Sequence, residues 1–300
     1  MCRIIGKIIR GVGGFYYVET PDATIYECKA KGIFRKDDIT PLVGDDVAIS
    51  VIDEDKDIGN IDEILPRKNA LIRPAVANID MAMVVFALKS PGLNTGLLDR
   101  FLVMMETEGV PVWLCLTKSD LATPDFIRRI VDTYEPCTEG VSVVNNLDGS
   151  GVRDVRAALR GRTTVLAGPS GVGKSSLVKR ICPDVDPEVG SISKKTERGK
   201  HTTRHSELFR IDDGTFIFDT PGFSSLRIPE LLPEELAAYI PEFDEFVGGC
   251  RFPMCTHTHE PGCAVKDQIG VSISESRYES YTQMFDELNR LAIKAGRSKR

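Results

Sequence analysis

The sequence predicts a multidomain α/β protein with three parts: an N-terminal OB-type β-barrel, a central and mainly parallel α/β unit built round a phosphate loop, and a C-terminal helical zinc-binding region. Three observations carry this. Short strands crowd the first 66 residues, strand and helix patterns alternate from 76 to 228, and three cysteines fall beside histidine in one short stretch beyond 229. A chain of 300 residues that is 42% hydrophobic has the material for two or three cores.

Five segments read as strands in residues 1–66: Arg3 to Ile9, Phe15 to Val18, Thr24 to Cys28, Asp46 to Ile52 and Asn60 to Ile64, with Gly and Asp turns between them. Five short strands in so little chain suit a small barrel of the OB type, a fold that binds RNA among other ligands. Residues 67–75, with Pro66 just before them and Pro74 near their end, read as a linker.

From 76 to 228 the period changes. The apolar run Met81 to Leu88 reads as a buried strand, while Leu97, Leu98, Phe101, Leu102 and Met105 recur at helical spacing. Pro111 to Leu116 is again a buried strand and leads into Thr117-Lys118-Ser119-Asp120. A carboxylate at Asp120 can accept two hydrogen bonds from guanine's ring N–H and exocyclic amine; adenine offers an acceptor there instead, which would face the carboxylate unpaired. Thr117 stands where such motifs usually carry Asn, so it keeps one donor and lacks the amide's second arm. Lys118 would lie over the phosphate-loop glycines.

Thr163 to Ala167 is a short apolar strand that opens into Gly168-Pro169-Ser170-Gly171-Val172-Gly173-Lys174-Ser175-Ser176, followed by a helical pattern to Ile181. This satisfies the phosphate-loop pattern in the required strand–loop–helix context. Glycines let backbone N–H groups turn toward phosphate oxygens, Lys174 would reach the outer phosphates, and Ser175 would ligate Mg²⁺. A second apolar strand, Thr215 to Asp219, ends in Asp219-Thr-Pro-Gly222. Asp219 can hold Mg²⁺ through water, and Gly222 can offer its N–H to a γ-phosphate. The base-reading motif precedes the phosphate loop, the reverse of the ordinary order, which marks a circularly permuted P-loop GTPase.

Gly199-Lys-His201-Thr202-Thr203-Arg-His205 occupies the place of a first switch. Either threonine could complete the Mg²⁺ shell, and Thr203 is preferred. Phe223 stands where many GTPases place the Gln that orients the attacking water, so another group must hold it. His201 is the candidate; the competing reading is a surface histidine that meets a partner's phosphate.

The chain carries 8 cysteines, of which Cys2, Cys28, Cys115, Cys137 and Cys182 are scattered, several in apolar runs where a thiol acts as a small hydrophobe. The remaining three, Cys250, Cys255 and Cys263, bracket His257 and His259. Three thiolates and one imidazole complete a closed, structural tetrahedral zinc site, with either histidine in range.

Net charge is −6, which argues against a polycation coating nucleic acid. Basic residues still cluster locally: Lys194, Lys195, Arg198, Lys200 and Arg204 in one loop, and Arg290, Lys294, Arg297, Lys299 and Arg300 at the C-terminus. A phosphate-rich partner suits both clusters as well as a solvated face does. The longest apolar run is too short to span a membrane and no signal segment is evident, so a cytoplasmic address without membrane attachment is expected.

Taken together, the phosphate loop, Gly199-Lys-His-Thr-Thr203, Asp219-Thr-Pro-Gly-Phe-Ser-Ser225, the permuted order, the N-terminal strands and the Cys250, Cys255, His257, Cys263 spacing resemble the ribosome small-subunit-dependent GTPase family (RsgA, YjeQ, YloQ) over nearly the whole chain. The resemblance implies an OB-fold RNA-binding domain at 1–66, a permuted GTPase at 76–228 and a zinc-binding domain at 229–300. It further implies one structural Zn²⁺ per chain with His257 as the fourth ligand, Mg²⁺ with GTP, a monomer, and the small ribosomal subunit and its rRNA as partners beside GTP and GDP. The implied activity is GTP hydrolysis stimulated by that subunit late in its maturation, with nucleotide state controlling release. Departures are Thr117, Pro169 and Val143-Val-Asn-Asn146, where family members show serines. Two other classes compete: a metabolic P-loop kinase using Lys174, and a non-catalytic RNA-binding module.

Overall fold

The computed structural model describes residues 3–31, 34, 39–71, 75–183, 207–219, 228 and 230–296. These divide into two compact units, one drawn from Met1–Met83, Val152–Ala167 and Lys174–Gly222, the other from Val84–Gly151, Gly168–Gly173 and Phe223–Arg300. Among the described residues no helix is long and apolar enough to cross a membrane.

In the first unit, β1 (Arg3–Val12), β2 (Phe15–Glu19), β3 (Ile25–Ala30), β4 (Asp46–Asp53) and β5 (Ile58–Ile64) close a barrel. The pairing runs β1-β2-β3-β5-β4 and returns to β1 through the β1–β4 ladder, with β3–β5 the parallel pair. Alternation puts Ile8, Val18, Cys28, Val47, Ile49 and Ile61 inside, all fully buried. A bulge between Ile8 and Arg10 bends β1, and Arg10 then pairs with Glu207 of a later strand.

Of the segment expected as a linker, Arg67 and Asn69 are anchored. Arg67 forms two hydrogen bonds to the buried Asp45 carboxylate, at 2.7 and 2.8 Å. Asn69 and Ile79 exchange a reciprocal pair of bonds at 2.8 Å. Between them β6 (Ala70–Leu71) pairs with β7 (Val76–Ala77).

The first unit also holds β11 (Thr163–Ala167), β12 (Glu207–Asp212) and β13 (Thr215–Asp219), in which β11 and β13 are parallel and β12 is antiparallel to β13. The sequence reading finds β11 and β13 and misses β12. Helices α3 (Val152–Leu159) and α4 (Lys174–Ile181) belong here. Arg156 of α3 donates to the carbonyls of Arg180 and Ile181, satisfying acceptors at the end of α4.

The second unit takes over inside β8 (Met81–Ala87), every residue of which is buried. Its sheet runs β10-β9-β8, with β9 (Val112–Thr117) parallel to β10 (Gly140–Val143). Helix α1 (Thr95–Thr107) starts where Asn94 accepts from the Leu97 N–H at 2.9 Å, and α2 (Pro124–Tyr134) starts with Thr123 as cap and proline in its first turn. Beyond residue 230 come three 3-10 segments, Pro233–Tyr239, Pro241–Phe246 and Lys266–Gln268, and the long α5 (Glu275–Lys294). Leu236, Phe243, Tyr281, Met284 and Leu288 form one apolar cluster there, and Val103 of α1 belongs to it.

Candidate nucleotide site and metal cluster

A phosphate loop works only if its peptide N–H groups face inward, which requires its carbonyls to be held outward. In the second unit three consecutive carbonyls are held so. Lys118 Nζ donates to Gly171 O at 2.8 Å, Thr117 Oγ1 donates to Val172 O, and Asn146 Nδ2 donates to Gly173 O at 3.2 Å. Thr117 ends β9, Lys118 opens the turn after it that carries Asp120, and Asn146 comes from the loop after β10. The structure therefore brings Thr117 and Lys118 against Gly171, Val172 and Gly173. It adds Asn146, for which no role was assigned.

The local backbone explains the residue types. A Cβ on Gly168 would lie 2.1 Å from the Val85 carbonyl oxygen, and φ there is +140, so only glycine fits where the loop passes β8. At Gly173, φ is +96. Lys118 adopts the left-handed region at φ +56, which turns the chain out of β9 into the 3-10 turn Ser119–Leu121. Its ammonium also reaches the Ser90 carbonyl. Thr117 is fully buried. Asp120 is exposed on the turn, where a base could reach it, and Ser119 N–H donates to the Val144 carbonyl just past β10, which ties that turn down.

Pro169 is half-buried and Ser170 exposed. Lys174, half-buried, begins α4, with Ser175 and Ser176 exposed in its first turn, so the helix N-terminus follows the loop directly. Asp219 ends β13, but its side chain lies outside the described residues, as do His201, Thr202, Thr203, Gly222 and Phe223.

The second constellation is the cysteine–histidine loop. The ligand atoms of Cys250, Cys255, His257 and Cys263 all lie within 4.8 Å of one another. His257 Nδ1 is 3.5 Å from Cys250 Sγ and 3.3 Å from Cys263 Sγ, and the latter two sulfurs are 3.9 Å apart. A tetrahedral Zn²⁺ with its usual bond lengths needs donors about 3.5 to 3.8 Å apart, so the set fits that ion. The histidine is His257, since the His259 ring instead meets Thr258 Oγ1 at 3.0 Å.

The frame of this loop is built round it. Tyr278 and Tyr281 of α5 donate their hydroxyls to the carbonyls of His257 and Thr256. Glu260 accepts from Thr256 N–H at 2.9 Å and Thr256 Oγ1 at 2.7 Å. Against the upward push of burial, these bonds hold the Glu260 carboxyl down at about 2.

Behind the loop lies a buried ionic triad. Arg277 of α5 donates to Asp99 of α1 at 2.7 Å and to both oxygens of Glu242 at 2.6 and 2.9 Å. All three side chains are at most 7% exposed. Its guanidinium also stands 5.7 Å over the ring of Tyr134. Burial pushes the Asp99 carboxyl up against the pull of Arg277, while at Glu242 the bonds and charge of Arg277 outweigh burial and hold the carboxyl below its ordinary range.

Comparison with known proteins agrees with these features. Residues 64–229 match a family model described as RsgA GTPase, and residues 5–61 match one described as RsgA N-terminal domain. A protein of Agathobacter rectalis named small ribosomal subunit biogenesis GTPase RsgA is 52% identical, over 94% of this chain and 97% of its own. One of the same name from Alkaliphilus metalliredigens is 48% identical, over 95% and 98%. Among solved structures, YjeQ from Thermotoga maritima superposes with a TM-score of 0.83 at 32% identity, covering 96% of this chain and 99% of that one. YloQ, titled a circularly permuted GTPase, gives 0.81 at 35% identity over 100% and 97%.

Proposed function

This chain belongs to the RsgA GTPase family and is a GTP hydrolase of permuted order; from that premise we propose that it acts in late maturation of the small ribosomal subunit, that the subunit stimulates its hydrolysis, and that nucleotide state controls release. The observation that carries the nucleotide part is the wiring of the base-reading turn to the phosphate loop through Lys118 and Thr117. Family membership sets aside the kinase and the non-catalytic module.

In this reading Asp120 reads guanine, the N–H groups of Gly171, Val172 and Gly173 and the ammonium of Lys174 bind phosphate, and Ser176 lies beside them at the helix start. Ser175, Thr203 and Asp219 hold Mg²⁺, which neutralises charge developing on the phosphates. Gly222 reports the γ-phosphate through its N–H, and His201 orients the attacking water in place of the Gln that Phe223 displaces. Cys250, Cys255, His257 and Cys263 hold one Zn²⁺ that is structural, because four protein ligands leave no open position for chemistry. The barrel, the basic loop 194–204 and the basic C-terminus supply RNA contact, and the domains divide at 1–66, 76–228 and 229–300, with 67–75 between the first two. A cytoplasmic monomer is the form that meets the subunit.

Turnover measured with purified small ribosomal subunits added or withheld tests this. Hydrolysis should be slow alone and rise with subunits. His201→Ala should lose about 100-fold of the stimulated rate while GTP affinity and subunit binding stay intact, since the lost contact belongs to the transition state. No stimulation by subunits overturns the partner; normal stimulated turnover in His201→Ala overturns the role of that residue.

A further inference from the structure

Thr117 poses a chemical deficit. Its hydroxyl carries one hydrogen, yet two carbonyls lie within reach, Val172 and, at 3.3 Å, Phe86. One donor serves one of them fully and leaves nothing for the next peptide of the loop. That peptide, Gly173–Lys174, closes the cradle before the helix begins. Its glycine sits at φ +96, with no side chain to fix its orientation.

We infer that Asn146 is a positioning residue of the nucleotide site, which supplies from the loop after β10 the second amide donor that Thr117 lacks. Three observations converge on it. Asn146 Nδ2 donates to Gly173 O at 3.2 Å. A Cβ built on Gly173 would stand 3.0 Å from Asn146 Nδ2 and 3.8 Å from Thr117 Oγ1, so both side chains approach the same residue. The loop that carries Asn146 is itself stiff, because Asn145 Oδ1 accepts from Leu147 N–H at 2.9 Å and Asn145 N–H donates to Ser150 O at 3.0 Å. The peptide group is planar and trans, so holding the Gly173 carbonyl on the Asn146 side sends the N–H of Lys174 the opposite way, toward the phosphate position. An Asn at 117, one atom longer than Thr and bearing two hydrogens, could take over this bond only where Asn146 has vacated the space.

The inference rests on the reading of residues 168–175 as a phosphate cradle, and the experiment separates the two. Affinity for a fluorescent GDP is measured for the full-length protein and for Asn146→Ala, Asn146→Asp, Thr117→Asn and the double variant Thr117→Asn/Asn146→Ala, with the thermal midpoint of each nucleotide-free protein alongside. Asn146→Ala should weaken GDP by about fivefold, the worth of one net hydrogen bond. Asn146→Asp should weaken it further, because a carboxylate faces a carbonyl. The double variant should return to within about twofold of the parent, while Thr117→Asn alone gives no gain. If the parent binds no guanine nucleotide, the cradle reading fails. If the parent binds and Asn146→Ala binds equally, or its loss follows the thermal midpoint and Thr117→Asn does not restore it, the positioning role fails.

Discussion

Asp120 is exposed on a short turn, and a carboxylate so placed discriminates between bases only if the turn is stiff. The stiffness comes from its neighbours: Thr117 buried beneath the loop, Lys118 bonded across it, and Ser119 bonded to Val144 just past β10. Asp120→Asn should therefore exchange preference rather than abolish binding. The amide reverses one hydrogen bond, so affinity for GDP should fall by ~100-fold and affinity for xanthosine diphosphate should rise. Competition binding with the two diphosphates checks this, and unchanged guanine preference would place base reading elsewhere. Residues of this kind were legible in the sequence because type and spacing are both constrained: a glycine loop ending in Lys174 and Ser175, or thiols five to eight residues apart. Asn146 was not. An asparagine in a loop is by default a turn former, and its partner, Gly173, stands 27 residues further on. Spacing alone leaves His257 and His259 both in range of the thiols; the family resemblance favours His257, and His257 is the one grouped with them.

Among elements, those with an apolar period were read almost to their ends: β11 and β13 agree with the expected runs, and β9 is displaced by one residue. Strand β12 was missed because its pattern is diluted by charge. Only Leu208 of its six residues is buried, and Arg210 finds its partner in Glu19 of β2, 191 residues away. The same long range hides the triad of α5, in which Arg277 meets Asp99 across 178 residues. A surface helix would spend its arginine on solvent; α5 spends it on holding α1. Arg277→Met should strand two buried carboxylates and cost about 3–5 kcal/mol. The triple variant Arg277→Met/Asp99→Leu/Glu242→Leu removes all the charge and should recover most of that loss. Thermal unfolding of both proteins decides it. Equal midpoints for the single variant and the parent would show that the triad contributes nothing.

At the scale of the whole molecule the permuted order was legible, since it is the order of two motifs along the chain. The anchoring of Arg67 was not, because prolines signal a break whether or not Arg67 is bonded to Asp45. Nor does sequence reveal that the cysteine–histidine loop, α5 and, through Val103, α1 share one apolar cluster. That sharing has a thermodynamic meaning. Tyr278 and Tyr281 clasp the loop from α5, and Arg277 clasps α1 from the same helix. Helices α1 and α5 should then open to solvent as one cooperative segment, and stripping the metal from the loop should loosen both. Amide hydrogen exchange before and after chelation reads this directly. Protection should fall together in Thr95–Thr107 and Glu275–Lys294, whereas loss confined to α5 would show two separate segments. A metal held near the C-terminus would thus set how often a helix beside the sheet that leads into Asp120, more than a hundred residues earlier in the chain, comes undone.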